Sequence, residues 1–216
     1  MRFTENRKLK NPAFPHNSEE DAQRADDVIQ AANQMALQCT LFDSCVSLFQ
    51  FLSVQVRLPE NANDETINRM ASWRVMVASQ SALQVWHFRK AADALRTAVN
   101  RYESIRQSVD TIAIKRAIEI TFRGYFPHWD LLRFGVAHHA EASVSRASGN
   151  KHGVSNPTEI GADLPNGAKV QYFGVRAEHL IMTVEGQELS LAINQRSVDA
   201  LQEVYGQIID ALETQE

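Results

Sequence analysis

Three histidines, an arginine and two carboxylates crowd into the stretch Phe126-Pro-His-Trp-Asp-Leu-Leu-Arg-Phe-Gly-Val-Ala-His-His-Ala-Glu141. Imidazoles titrate near neutral pH, and a guanidinium keeps its charge and grips anions through a planar fork. Pro127 suits the first turn of a helix. On that helix Arg133 and His138, five positions apart, point about 140° away from one another. One ligand atom touches both only with help from a bend or a second subunit. Two other readings of the same residues stand beside this one. Arg133 caps or salt-bridges a neighbouring helix while His138 is hydrogen-bonded inside the fold. Alternatively His128, His138 or His139, and Glu141, with His152, hold a metal, since residues three apart on a helix can share an ion. No H-E-x-x-H motif accompanies them.

The composition sets the frame for this chemistry. The chain has 216 residues, enough for one substantial core; its 44% hydrophobic and 22% charged residues are globular usage. Apolar runs fall short of the roughly 18 residues that span a bilayer, and the polar N-terminus lacks a secretory segment. Cys39 and Cys45 do not have zinc-site spacing and fall in a helical pattern, so reduced core thiols and a cytoplasmic address are expected. Net charge is −4, yet residues 86–152 hold eleven Lys or Arg against six Asp or Glu. That local +5 inside an acidic protein fits a selective anion or phosphate site better than a broad DNA-binding face, with solvation of helix surfaces as the plainer alternative.

Helices must position these groups. Residues 1–17 lack periodicity and read as an arm on the surface or on a partner. Ser18 caps a first helix, on which Ala25, Val28, Ala32, Met35, Cys39, Phe42, Val46, Phe49 and Leu52 recur at steps of three and four. This helix ends before Pro59, and a break falls near Thr40 if there is one. After a polar loop, Asp64 caps a second long helix with Val77, Ser81, Val85, Phe88, Ala92, Leu95, Val99 and Tyr102 along its seam. The two seams ask to lie antiparallel. His87, one residue off the seam, reads as a partly buried, hydrogen-bonded histidine, and Trp73 and Trp86 as core or interface. A third helix is expected over Ser108–Phe122 with Val109, Ala113, Ala117 and Ile120 inward, ended by Gly124. The fourth runs from Pro127 and fades by Ala147.

Beyond this the pattern changes. Residues 148–167 are turn-forming, a loop long enough to be functional. Ala168–Phe173, His179–Val184 and Glu188–Ile193 read as strands, the last two joined at Glu185-Gly186 into a hairpin. Ser197 caps a final helix with Val198, Leu201, Val204, Tyr205, Ile208 and Leu212 on one face. The expected fold is mainly α: a four-helix up-and-down bundle over 18–147, with a small C-terminal antiparallel sheet and a final helix (148–216) packed on it.

Arg133-Phe-Gly-Val-Ala-His138, on the last helix of such a bundle, resembles the R-x4–6-H signature of the HEPN superfamily over residues of about 20–147. That superfamily includes metal-independent ribonucleases of toxin–antitoxin and phage-defence systems, and inactive nucleotide-binding or scaffolding relatives. The resemblance implies His138 as general acid or base toward a ribose 2′-hydroxyl or leaving oxygen, and Arg133 as the stabiliser of phosphoryl charge. His139, Glu141 and His128 are implied in support, orienting His138 or touching phosphate. Two protomers would present their motifs to one cleft, which resolves the 140° divergence. It implies a homodimer, RNA as substrate, an antitoxin or other protein as partner, no membrane and no metal or other cofactor. Phe134 departs from the polar residue that usually follows the family's arginine, and this favours the second expectation: a non-enzymatic scaffold in which Arg133 and His138 are structural or hold a ligand. A metal-dependent site ranks third. Gly-rich phosphate loops, G-x-S-x-G and paired cysteines do not occur, so kinase, dinucleotide and serine-hydrolase chemistry has no support.

Overall fold

The computed structural model describes residues 14, 18–57, 64–107, 109–142, 151–155, 157–158, 160 and 168–213, with the side chains of 55–57, 104 and 138–142 excepted. Its elements are α1 (Glu19–Arg57), α2 (Asp64–Arg101), the single turn α3 (Glu103–Arg106), α4 (Thr111–Tyr125), α5 (Trp129–Ala142), β1 (Phe173–Arg176), β2 (His179–Val184), β3 (Gln187–Ala192) and α6 (Gln195–Glu213). The protein is mainly helical, with a small antiparallel sheet followed by a C-terminal helix.

Local chemistry explains where the long helices begin. The Asp21 N–H donates to Ser18 Oγ at 3.1 Å, satisfying a donor that the first turn leaves orphaned. Three acids in that turn face the positive end of the dipole. All nine apolar positions of the α1 stripe are buried, and α1 runs through Thr40 without a break for roughly 58 Å. Thr40 Oγ1 donates back to the Ala36 carbonyl, so its hydroxyl is absorbed without interrupting the ladder. On α2 the seam from Ser81 to Tyr102 is buried as well, while Val77 is half-exposed. Asp21 acts electrostatically on Tyr102, the side chains of Cys45 and Ser81 are hydrogen-bonded, and the Arg74 guanidinium lies 5.1 Å over the Phe49 ring. One number falls as the other rises, so α1 and α2 run antiparallel.

The chain forms two compact units, and both long helices contribute to each. The first draws on Met1–Phe42, Gln84–Pro127 and Arg196–Glu216. Its core is aromatic: Phe88 stacks on Phe122, Phe42 and Phe122 both meet Phe126, and Phe14 sets its edge on Tyr102. Phe14 is therefore a core residue, although the arm as a whole reads as surface; the rest of 1–17 lies outside the described residues. Burial, and then the Asp21 carboxylate, push the Tyr102 hydroxyl upward. α6 belongs to this unit and buries Val198, Leu201, Val204, Tyr205, Ile208 and Leu212 as its spacing predicts. It starts at Gln195, so Ser197 is a buried residue of the first turn and not the cap.

The phase of α4 differs from the expected one. Asp110 caps it, its carboxylate accepting from the Ile112 and Ala113 N–H groups. Ile114, Ile118 and Phe122 point inward, whereas Ala113 and Ile120 are exposed. Both sets satisfy helical spacing. Phe122 decides between them, because its ring has Phe88 to stack on and the Arg89 guanidinium at 5.4 Å on its face. Gly124 lies within the last turn, and the helix runs on to Tyr125.

The second unit is Asp43–Leu83 and His128–Gln195. Its sheet is a meander in the order β1-β2-β3, with Arg176 opposite His179 and Val184 opposite Gln187. Both turns are two residues long. Glu185 and Gly186 both have positive φ, which matches the twist of a tight hairpin. At the other turn Ala177 has φ 51°, and that conformation is pinned: Arg74 donates to the Ala177 carbonyl and the Ile193 N–H to Glu178. β1 starts at Phe173, later than the expected strand Ala168–Phe173. Val170 instead forms an isolated bridge with Val154, and Tyr172 pairs with Thr183: its carbonyl accepts from the Thr183 N–H and its own N–H donates to the threonine hydroxyl. Part of the stretch 148–167 is tied down on this unit, since the Glu188 carboxylate accepts from the Thr158 N–H and hydroxyl and from the Ile160 N–H. Cys39 and Cys45 are unbridged; burial pushes the Cys45 thiol upward and the bond to Ser81 opposes that shift.

The phase of α4 gives a direct test. Ile118→Ala is expected to cost about 2–4 kcal/mol in urea unfolding, through lost burial and a residual cavity. Ile120→Ala on the exposed side of the same helix is expected to change the midpoint little. The reverse order would restore the inward set read from spacing alone.

Candidate functional site

α5 carries the arginine–histidine motif, and it begins later than Pro127. Pro127 and His128 form a turn, with His128 in the left-handed region at φ 60°. The His128 carbonyl accepts the first helical bond from the Leu132 N–H at 2.9 Å, and Asp130 sits in the first turn where the dipole favours an acid. His128 is exposed and lies before the helix, not on it.

Among the described side chains of α5, Leu132 and Gly135 hold the buried positions. An alanine Cβ built at Gly135 would overlap Met182 Sδ and stand 2.7 Å from Val184 Cγ2. Those two side chains belong to the face of β2 that also carries Leu180, and their partners Leu189 and Leu191 extend it onto β3. The glycine is therefore the point where α5 lies flush on the sheet. Its cost in helix propensity, about 1 kcal/mol, is offset by the methionine and valine that fill the space.

Phe134 is half-buried, its ring 6.3 Å from that of His152. His152 Nδ1 accepts from the Glu185 N–H at 3.2 Å, so this imidazole holds the β2–β3 turn. That is a structural duty, in contrast to the metal-binding role considered for it. Among the described residues no three His, Cys, Asp or Glu side chains gather as a metal site. Arg133 is exposed beside Ala137, on a side of α5 turned away from the sheet. The backbone of His138, His139 and Glu141 continues the same helix; their side chains, and with them the Arg133–His138 pairing, lie outside the described residues.

A second feature was not anticipated from the sequence. In the first unit, α1 and α2 leave between them an open groove of about 620 Å³. Ala31, Ala91, Ala94 and Ala98 keep it deep, while Asp27, Gln38, His87, Lys90 and Arg101 supply polar groups. Gln38 Oε1 is buried without a hydrogen-bond partner. His87 is exposed and edge-on to Trp86, whose ring also has the Lys90 ammonium at 5.6 Å, so the expected burial of His87 does not hold. The groove offers cations and carboxamides to a small polar ligand, but no convergent pair for proton transfer. Its sequence signal was the polar spacing of Asp27, Gln30, Gln34 and Gln38 on one side of an otherwise apolar helix.

Gly135→Ala separates packing from propensity. On an exposed helix this change stabilises by up to about 1 kcal/mol. Here it is expected to destabilise by about 1–3 kcal/mol, because Met182 and Val184 must move. Chemical denaturation of the two proteins reads the sign.

Comparison of the chain with protein-family models, curated proteins and solved structures gave no match.

Proposed function

We propose that this chain is a HEPN-like RNA-binding protein acting as a metal-independent endoribonuclease, with two protomers completing the site. The observation that supports this reading best is the exposure of Arg133 on a helix anchored to the sheet through Leu132 and Gly135. A fixed cation in reach of solvent is what a phosphodiester needs, and a packed helix holds it without the entropy cost of a loop. The surplus of eleven basic over six acidic residues across 86–152 adds electrostatic attraction for a polyanion.

In this mechanism His138 takes the proton of a ribose 2′-hydroxyl, and the 2′-oxygen attacks the adjacent phosphorus. The bond to the 5′-oxygen breaks, a protonated imidazole supplies that oxygen's proton, and Arg133 stabilises the charge on the non-bridging oxygens. The products are a 2′,3′-cyclic phosphate and a 5′-hydroxyl. His128, His139 and Glu141 orient the imidazole or touch phosphate. A toxin or phage-defence setting, with an antitoxin as partner, fits such an activity.

A second reading, a non-enzymatic helical scaffold, is favoured by the residues between the arginine and the histidine. Phe134 packs beside His152 and Gly135 against β2, so half of the motif's interior serves packing.

The two readings part in one assay. With single-stranded RNA in EDTA, the ribonuclease is expected to leave cyclic-phosphate ends, and Arg133→Ala and His138→Ala are each expected to lower the rate by 100-fold or more, in line with the loss of an acid–base or charge-stabilising group. Intact RNA with folded wild-type protein assigns the scaffold role. Cleavage that EDTA abolishes assigns a metal site.

A further inference from the structure

The groove of about 620 Å³ between α1 and α2 has no part in the RNA reading. Its lining lies between Asp27 and Gln38 on one helix and between His87 and Arg101 on the other, wholly within the first unit. Alanine makes the space: leucine-sized side chains at Ala31, Ala91, Ala94 and Ala98 would fill it, as they do in a close-packed helix pair.

The shape of the groove is that of a chain. Asp21 acts on Tyr102, so Asp27 and Arg101 lie toward one end and Gln38 and His87 toward the other. From Asp27 to Gln38 the helix rises about 16 Å, the span of about five residues of extended backbone. Gln30, Gln34 and Gln38 follow one another at steps of four. That is about 6 Å per step, close to the roughly 6.7 Å repeat of an extended peptide. A carboxamide carries the donors and the acceptor of a peptide group, so it can answer one.

One of these carboxamides has an unmet demand. Gln38 Oε1 is buried, and among the described residues it receives no hydrogen bond. A buried acceptor without a donor is costly, and an incoming N–H would satisfy it. Charge adds a second preference. Two cations, Lys90 and Arg101, outnumber the one carboxylate, Asp27, which already accepts from Gln23 Nε2.

We propose that this groove binds a short acidic peptide segment in extended form. The carboxamides of Gln34 and Gln38 read its backbone, and Lys90 and Arg101 take its carboxylates. A single RNA strand is the competing chain-like anion. Sites for single strands combine cations with aromatic stacking platforms, and no Phe, Tyr or Trp is among the described residues that line the groove. Asp27 would also face the phosphates as a like charge. The proposal does not rest on the ribonuclease reading, since none of its residues lies on α5.

Fluorescence anisotropy of the full chain with fluorescein-labelled pentapeptides tests it. One set carries glutamate at the second and fourth positions among alanine, serine and leucine; the other carries lysine there. Members of the acidic set are expected to bind with Kd below about 1 mM, and the lysine set about 10-fold more weakly or worse. Lys90→Ala and Arg101→Ala are each expected to weaken binding by about 10-fold, as for hydrogen bonds to charged groups. Ala94→Leu, an exposed position where leucine keeps helix propensity, is expected to abolish it by filling the groove. Gln38→Met separates binding from folding. It is expected to cost about 5-fold in affinity while the thermal midpoint holds or rises, because an unmet acceptor leaves the fold. Circular dichroism verifies each variant, and the exposed Lys90 and Arg101 carry the test if Ala94→Leu does not fold. Absence of binding by the acidic set at 1 mM overturns the proposal, as does affinity that these substitutions leave unchanged. Free glutamate binding as tightly as the pentapeptides makes the groove a site for a small anion and overturns it too. So does displacement of the peptide by single-stranded RNA.

Discussion

The antiparallel pairing of α1 and α2 is the constraint from which the remainder follows. Both compact units are built on these helices, each taking one half of α1 and the opposing half of α2. Each buried Leu, Val, Met or Phe along the seams contributes about 1.5–3 kcal/mol, so a dozen of them exceed the net stability of a whole domain before entropy is subtracted. The polar groups on the seam are satisfied within the pair: Ser81 donates to the Val77 carbonyl and bonds Cys45 of α1, and Ser53 donates to the Phe49 carbonyl of its own helix. A seam with so few outward demands lets two different environments form along it. Aromatic stacking around Phe122 and Phe126 fills one, and the sheet with α5 forms the other.

In the second unit the contact of α5 with β2 sets what the arginine–histidine helix can do. Gly135 removes the side chain that would hold the helix off the sheet, so Met182 and Val184 lie against the backbone itself. Arg133 is exposed on the other side. The rigidity that packing gives α5 is the property a phosphate-binding cation requires, so packing and chemistry are not rivals at this helix. The ribonuclease and scaffold readings share the same frame and differ only in what is asked of the imidazole.

In the first unit the groove between α1 and α2 has a different logic. Alanines leave the space, and Asp27, Gln38, His87, Lys90 and Arg101 edge it with polar groups. Small side chains on both helices thus open a polar recess beside a core that is otherwise aromatic and aliphatic.

The sequence alone determined the elements whose pattern is local. The stripes of α1, α2 and α6 and the Glu185-Gly186 hairpin follow from spacing, capping and turn chemistry, each of which acts within a few residues. Choices between equally periodic alternatives were left to the tertiary structure. Ile114, Ile118 and Phe122 prevail over Ala113, Ala117 and Ile120 on α4 because Phe88 waits for Phe122, and β1 begins at Phe173 because the Thr183 hydroxyl takes the Tyr172 N–H out of the regular ladder. Gly135 by itself says only that α5 lacks one side chain, and it is Met182 and Val184 that give the gap its purpose.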